Sequence, residues 1–362
     1  MKASMYIRVS TEDQAREGYS LEVQSEYLES FAKREGYGYL RGEFKMRGLP
    51  KSFIVNFKED GLLKPLLERV KDDSTLCLEI REKYINIYYR GGNIIRIREN
   101  NGYVAWFDKK YCSGNISKII KDLPERLRVE SDVRAWVMAF PFLKQIMDFW
   151  FNKHQKDERE FQQIILRENN GFSVGNSTDY FIIDIEYDNH KGARFDLVAV
   201  EWVSEGAIRK LKKGYKPKLS FIEVKYGDNA LSGNAGILKH IEDFKNYLKS
   251  DTDLKMIRDE MITIFAQKRE LGLIPALKGN KNVLKEFSDE IDFIFLLANH
   301  DPASHRLYDI LNGIQKEYKD EALGFGLKFC ASNFMGYGLY KQNVYSLTDF
   351  IERFKNQILC SS

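Results

Sequence analysis

The sequence has no CxxC pair, no HExxH and no other cysteine or histidine grouping at metal-ligand spacing. Its four cysteines, Cys77, Cys112, Cys330 and Cys360, are scattered over 362 residues. That excludes a zinc ribbon and a disulfide framework, and isolated thiols suit a reducing compartment. No apolar run approaches the roughly 20 residues of a membrane-spanning helix, so no membrane partner is expected. Residues 1–10 lack the basic segment and apolar stretch of a secretory signal, and the cytoplasm is the expected location. An excess of one charge is missing too: 30% of residues are charged, yet the formal net charge is only +3. A whole-molecule polycation is excluded, so any contact with nucleic acid needs a local basic patch. No internal repeat or low-complexity tract is visible.

What is present is a chain of 43% hydrophobic residues, enough for two or three domains. Residues 1–43 read as a strand, a polar turn and a helix, and the glycines and proline from Gly36 to Pro50 mark a boundary. Residues 50–125 read as a small α+β module. In it a helix over 62–70 precedes antiparallel strands over 75–81, 83–90, 93–98 and 103–108, with turns at Gly91-Gly92 and Asn101-Gly102. Residues 126–362 form a third region. Helical spacing runs over 131–169 with breaks near Pro141 and His154. Strands follow at 179–188, 194–203 and 218–226, then helices at 235–250 and 253–271. The continuous apolar run 291–298 has the mark of a strand buried on both faces. A helix over 304–318, a strand over 326–332 and a helix over 346–354 complete the pattern. This order predicts an α/β layer arrangement around a mixed sheet.

Chemistry is concentrated in Phe195-Asp196-Leu197 and Phe221-Ile222-Glu223-Val224-Lys225. Residues two apart in a strand face the same side, so Glu223 and Lys225 project together. Asp196 interrupts an otherwise apolar strand, where an ionised carboxylate is costly without a partner. A divalent cation held by Asp196 and Glu223 removes that cost, and hard oxygen ligands favour Mg2+ or Mn2+. Such an ion lowers the pKa of bound water and neutralises charge on a phosphate oxygen. Lys225 is placed to orient water or stabilise the transition state. The plainer alternative is a solvated strand face with Asp196 capping a turn. The five histidines suggest no ligand set. His240, one turn before Asp243 and Phe244, reads as a helix-surface residue that has the site within reach.

These residues resemble the PD-(D/E)XK nuclease superfamily, whose core is a helix, three strands, a helix and a strand. The resemblance covers about residues 150–300. It implies Asp196 as the motif aspartate, Glu223 as the acidic residue and Lys225 as the lysine, with Phe195 where the family has proline. A helical glutamate often joins them in an E-x-x-h-Q pattern. Glu158 fits that role, and Glu160 is the alternative. The phage-exonuclease branch adds a Q-x-x-x-Y helix. Asp243-Phe244-Lys245-Asn246-Tyr247 matches it at Tyr247, with aspartate in place of glutamine. The implied activity is metal-dependent hydrolysis of DNA phosphodiester bonds, RNA remaining open. Between the second and third strands, six of the ten residues 209–218 are cationic. Lys210, Lys212, Lys213 and Lys216 could track a phosphate backbone beside Tyr215, although charge runs are also ordinary solvated loops.

Residues 4–37 resemble a second family, the serine recombinases (resolvase/invertase). The match runs through Tyr6-Ile7-Arg8-Val9-Ser10-Thr11-Glu12-Asp13-Gln14 and Gly18-Tyr19-Ser20-Leu21-Glu22-Val23-Gln24. It implies an activating Arg8 and a nucleophilic Ser10. After Tyr37 the glycine- and serine-rich flap and the Asp-Arg-Leu-x-Arg motif are absent. A serine hydroxyl needs a surrounding positive cluster to attack a phosphodiester, so Ser10 is expected to be inert. Two other functions stay open: strand exchange through Ser10, and nucleic-acid binding without cleavage.

Overall fold

The computed structural model describes residues 46–359 other than 59, 113–119, 172–177, 190–192, 204–214, 275–283, 301–304, 319–322 and 333–338. The chain divides into two compact units, Met1–Met46 and Arg47–Ser362. Only Met46 of the first is described, so Arg8 and Ser10 lie outside the described residues.

Hairpin chemistry builds the first sheet of the second unit. Its strands are β1 (Leu76–Ile80), β2 (Tyr84–Tyr89), β3 (Gly92–Glu99), β4 (Tyr103–Trp106) and β5 (Arg126–Leu127), antiparallel and in that order. The expected turn at Gly91-Gly92 sits one residue earlier. Arg90 and Gly91 take φ of 49° and 71°, the paired positive φ that a tight two-residue hairpin requires. Alternation then sends Ile85, Ile87, Ile95 and Ile97 into the core. There they join α1 (Lys51–Asn56), α2 (Lys64–Asp72) and α3 (Glu130–Phe151).

The expected break at Pro141 does not occur, because α3 continues through it. An interior proline costs ~3 kcal/mol. Phe140, Leu143, Ile146 and Met147 are buried along the same helix, each contributing roughly 1.5–3 kcal/mol, which outweighs that cost. The break near His154 is real, and α4 spans Asp157–Asn170.

The second sheet has six strands: β6 (Tyr180–Asp188), β7 (Arg194–Glu201), β8 (Lys218–Tyr226), β9 (Ile291–Ala298), β10 (Gly326–Ala331) and β11 (Tyr345–Ser346). Their spatial order is β11-β10-β9-β8-β7-β6. The pairs β6–β7, β7–β8 and β10–β11 are antiparallel, and β8–β9 and β9–β10 are parallel. Between β8 and β9 run α5 (Ile237–Leu248) and α6 (Asp251–Glu270), and α7 (His305–Glu317) and α8 (Leu347–Leu359) follow β9 and β11. Phe161, Ile165 and Leu166 of α4 cover one sheet face with Leu197, Ile222 and Ile294. Ile241, Phe244, Met261 and Phe265 of α5 and α6 cover the other with Val198, Phe221 and Phe293. The fold class is mixed α/β, with two sheets and eight α-helices among the described residues.

A buried polar seam joins the sheets. In β6 the register shifts between Ile182 and Asp184. The fully buried Asp184 carboxylate receives Arg47 and Arg81, and the Ile185 N–H donates to its Oδ1 at 2.9 Å. Nearby, Lys268 Nζ of α6 donates to both oxygens of the buried Glu79, at 2.7 and 2.8 Å.

Candidate active site

The paired register of β7 and β8 ends at Leu197↔Ile222. Beyond it the Asp196 side chain occupies the place of a ladder acceptor, with Oδ2 receiving the Val224 N–H at 2.8 Å. This puts the aspartate carboxylate between Glu223 and Lys225, at the end where the strands part. Glu223 and Lys225 are both buried, and Lys225 Nζ donates to Glu223 Oε1 at 2.8 Å. His240, from the first turn of α5, places Nε2 3.1 Å from the same oxygen. Burial and the neighbouring Lys225 push its pKa down to about 4. The imidazole is therefore neutral at pH 7, and its contact with Glu223 is a hydrogen bond rather than an ion pair.

Glu158 approaches from the first turn of α4, where three acidic residues suit the positive end of the helix dipole. It is one of the charges felt by both Asp196 and Glu223. Glu160 points elsewhere and takes the Arg90 guanidinium in two 3.0 Å bonds. Burial raises the pKa of Glu158, against the pull of Lys225. Burial and then the charge on Glu223 raise Asp196 well above the ordinary aspartate value. Burial raises Glu223 as well, with Lys225 opposing and Glu158 adding. Three carboxylates thus share one ammonium. Among the described residues, Asp196 Oδ1 and the Glu158 carboxyl have no hydrogen-bond or ion-pair partner.

The surroundings hold this arrangement still. Gly227, with φ of 74°, closes β8 onto β9 through its N–H to Ala298 O at 2.9 Å. His300 bridges Asp228 Oδ1 at 3.1 Å and Lys225 O at 3.2 Å. On the α4 side, the β2–β3 turn is clamped to the helix carrying Glu158. The Gly91 N–H donates to Gln163 Oε1 at 2.7 Å, and a Cβ on Gly91 would lie 2.5 Å from the Arg159 carbonyl. Local sequence carried no sign of these long-range supports.

Three expected nucleic-acid contacts, Lys210, Lys212 and Lys213, lie outside the described residues. Lys216 pairs with Glu286 at 3.0 Å. The insert enters β8 at Lys218, and roughly 17 Å of extended strand separates that residue from Glu223. Neighbours in sequence are thus at opposite ends of one strand. Tyr247 is core: it is 8% exposed, its ring centroid is 5.1 Å from that of Phe195, and its hydroxyl donates to Asp253 O at 3.3 Å.

A hard divalent cation commonly takes one or two carboxylates and completes its shell with water and substrate, and Asp196 and Glu223 are the carboxylates that could hold one. Among the described residues, no three His, Cys, Asp or Glu side chains are grouped closely enough to hold an ion. Comparison with family models, with curated proteins and with solved structures finds no match, so the site is interpreted from its own geometry.

Proposed function

We propose that this protein is a metal-dependent nuclease of the PD-(D/E)XK type that hydrolyses DNA phosphodiester bonds. One observation carries the reading. Where β7 and β8 part, Asp196 Oδ2 is held by the Val224 N–H and Glu223 Oε1 by Lys225 Nζ, and the carboxyls of Asp196, Glu223 and Glu158 all feel the Lys225 charge. Supporting it is the element order α4-β6-β7-β8-α5-α6-β9 with β8 parallel to β9, the order that the sequence resemblance implies.

In this reading Asp196 and Glu223 hold Mg2+ or Mn2+, which supplies charge neutralisation at a phosphate oxygen and a lower pKa for water. Lys225 orients water or donates to the developing negative charge. Glu158, whose pKa burial raises, would accept a proton or hold a water. His240 fixes the Glu223 rotamer as a neutral partner.

The test is incubation with linear and circular DNA, with Mg2+, with Mn2+ and with excess chelator. Ion-dependent product supports the reading, and cleavage in excess chelator refutes it. The rival reading, nucleic-acid binding without cleavage, draws on Glu223 Oε1 already accepting both Lys225 and His240. It expects a stable complex and no ion-dependent product.

A further inference from the structure

The five-stranded sheet has a second face, away from its isoleucines, and that face changes character across the strands. On β1 its residues are buried in the seam. Asn86 and Tyr88 of β2 are buried too, and from Tyr84 across β3, β4 and β5 the face opens: Tyr84, Arg96, Val104 and Trp106 are half-buried, and Arg98 and Arg126 are exposed. The register lines them into rows. Arg96 lies between Asn86 and Trp106, and Arg98 lies between Tyr84 and Val104, with Arg126 next to Val104.

These arginines are organised but not neutralised. Arg96 Nε donates to Asn86 Oδ1 at 2.9 Å. Its guanidinium carbon lies 4.9 Å from the Tyr84 ring centroid and 5.4 Å from that of Trp106. The Arg98 guanidinium lies 5.4 Å from Tyr84. Among the described residues, none of Arg96, Arg98 and Arg126 has a carboxylate within ion-pair distance. Elsewhere in the unit buried arginines are paired, as Arg47 and Arg81 are with Asp184. Three guanidiniums on a pleated surface, interleaved with an indole and a phenol, match a flexible polyanion that also carries flat rings. Guanidiniums take phosphates, and exposed aromatic or guanidinium planes take bases.

We infer that the open face of the five-stranded sheet, formed by Tyr84, Arg96, Arg98, Trp106 and Arg126, is a docking surface for single-stranded nucleic acid. It extends the proposed nuclease function and rests on that reading only for the choice of nucleic acid as partner. An open sheet face favours an unpaired strand, whose bases can turn toward the protein. In a duplex the same bases are stacked inside, and only phosphates would touch the arginines.

The experiment measures fluorescence anisotropy of a labelled 20-nucleotide oligothymidine against the full chain in excess chelator. No cleavage is read, so failure of the nuclease assignment and failure of this one are separable. Arg98→Gln with Arg126→Gln is the main variant, because both side chains are exposed and the melting midpoint should not move. Its affinity should fall by about tenfold or more, with the salt slope reduced by about 0.7 for each phosphate that is no longer neutralised. Trp106→Leu should weaken binding by about tenfold at an unchanged salt slope. Unchanged affinity and slope in the double variant would overturn the assignment. So would a wild-type chain that fails to bind the oligonucleotide, or one that prefers a duplex of equal length.

Discussion

At the seam between the sheets, Asp184 and Glu79 meet Arg47, Arg81 and Lys268. At the candidate active site, Glu158, Asp196 and Glu223 all feel Lys225, which is ion-paired to Glu223. The seam is buried, as are Glu223 and Lys225 at the site, whereas Asp196 and Glu158 are half-buried, and desolvation by itself raises every carboxyl in both clusters. In the seam the two arginines overrule that effect at Asp184 and hold it below the ordinary carboxylate range, while Glu79, paired with Lys268 alone, is raised to about 7. At the site Asp196 and Glu223 stay raised. The chain therefore supplies its own counter-charge where structure needs it and leaves a deficit where β7 and β8 part. A like-charge deficit of this kind costs stability, and perturbed carboxyls of this sort cluster at functional sites.

The largest expected effect breaks the active-site half of the comparison. Asp196→Asn or Lys225→Ala should lower ion-dependent cleavage by about a thousandfold or more, roughly 4 kcal/mol of barrier. The double variant should be little worse than the poorer single one. Full activity in either single variant would remove that residue from the chemistry.

The seam should respond in stability instead. Asp184→Ala leaves two buried guanidiniums without a carboxylate and should cost about 3–5 kcal/mol in urea unfolding. Asp196→Asn should do the opposite and raise the melting midpoint by about 2 °C, because it removes an unfavourable buried charge. A loss of stability at both positions would mean that the two clusters are not different in kind.

Titration sharpens the contrast. A carboxyl raised in the folded state keeps a proton that the unfolded chain has already released, so stability falls as pH rises across that window. Burial pushes Glu79 up to about 7 despite Lys268, so its window runs from about 4.5 to 7. Asp196, Glu223 and Glu158 shift in the same direction. His240, lowered to about 4, works the other way below about pH 6.5, so the raised carboxyls should show as a chain less stable at pH 8 than at pH 6.5. About 10 mM Mg2+ should recover part of the loss at pH 8, and none of it in Asp196→Asn. Recovery in that variant would place the ion elsewhere.

The smallest effect concerns the clamp on α4. Arg90→Ala removes partly exposed pairs with Glu160 and Asp148 and should cost about 1 kcal/mol of stability. If the clamp positions Glu158, cleavage should also fall a few-fold at an unchanged ion requirement.

Much of this architecture was legible because it is local. The runs 218–226 and 291–298 match β8 and β9 in extent, since each is an unbroken β-forming segment ended by Gly227 or by Asn299. Glu223 and Lys225 were legible as a same-face pair for the same reason. What was not legible depends on partners distant in sequence. Asp184 looks like one more polar residue in a strand, and Arg47 and Arg81 stand 137 and 103 residues away from it. Tyr247 follows a family pattern, yet its helix turns it into the aromatic core beside Phe244 and Phe195. Glu158 and Glu160 are two residues apart and so point to different faces of α4, and the hairpin that captures Glu160 marks which face turns away from the site.

That hairpin has a consequence for how the chain can be cut. Gly91 sits against the Arg159 carbonyl with no room for a Cβ, and its N–H is the partner of Gln163. A fragment beginning at residue 126 would keep every carboxylate of the site and lose the surface that seats the helix carrying one of them. Excision or module exchange along that line would separate residues that sequence order makes look independent. The smallest portable piece of this molecule carries both sheets.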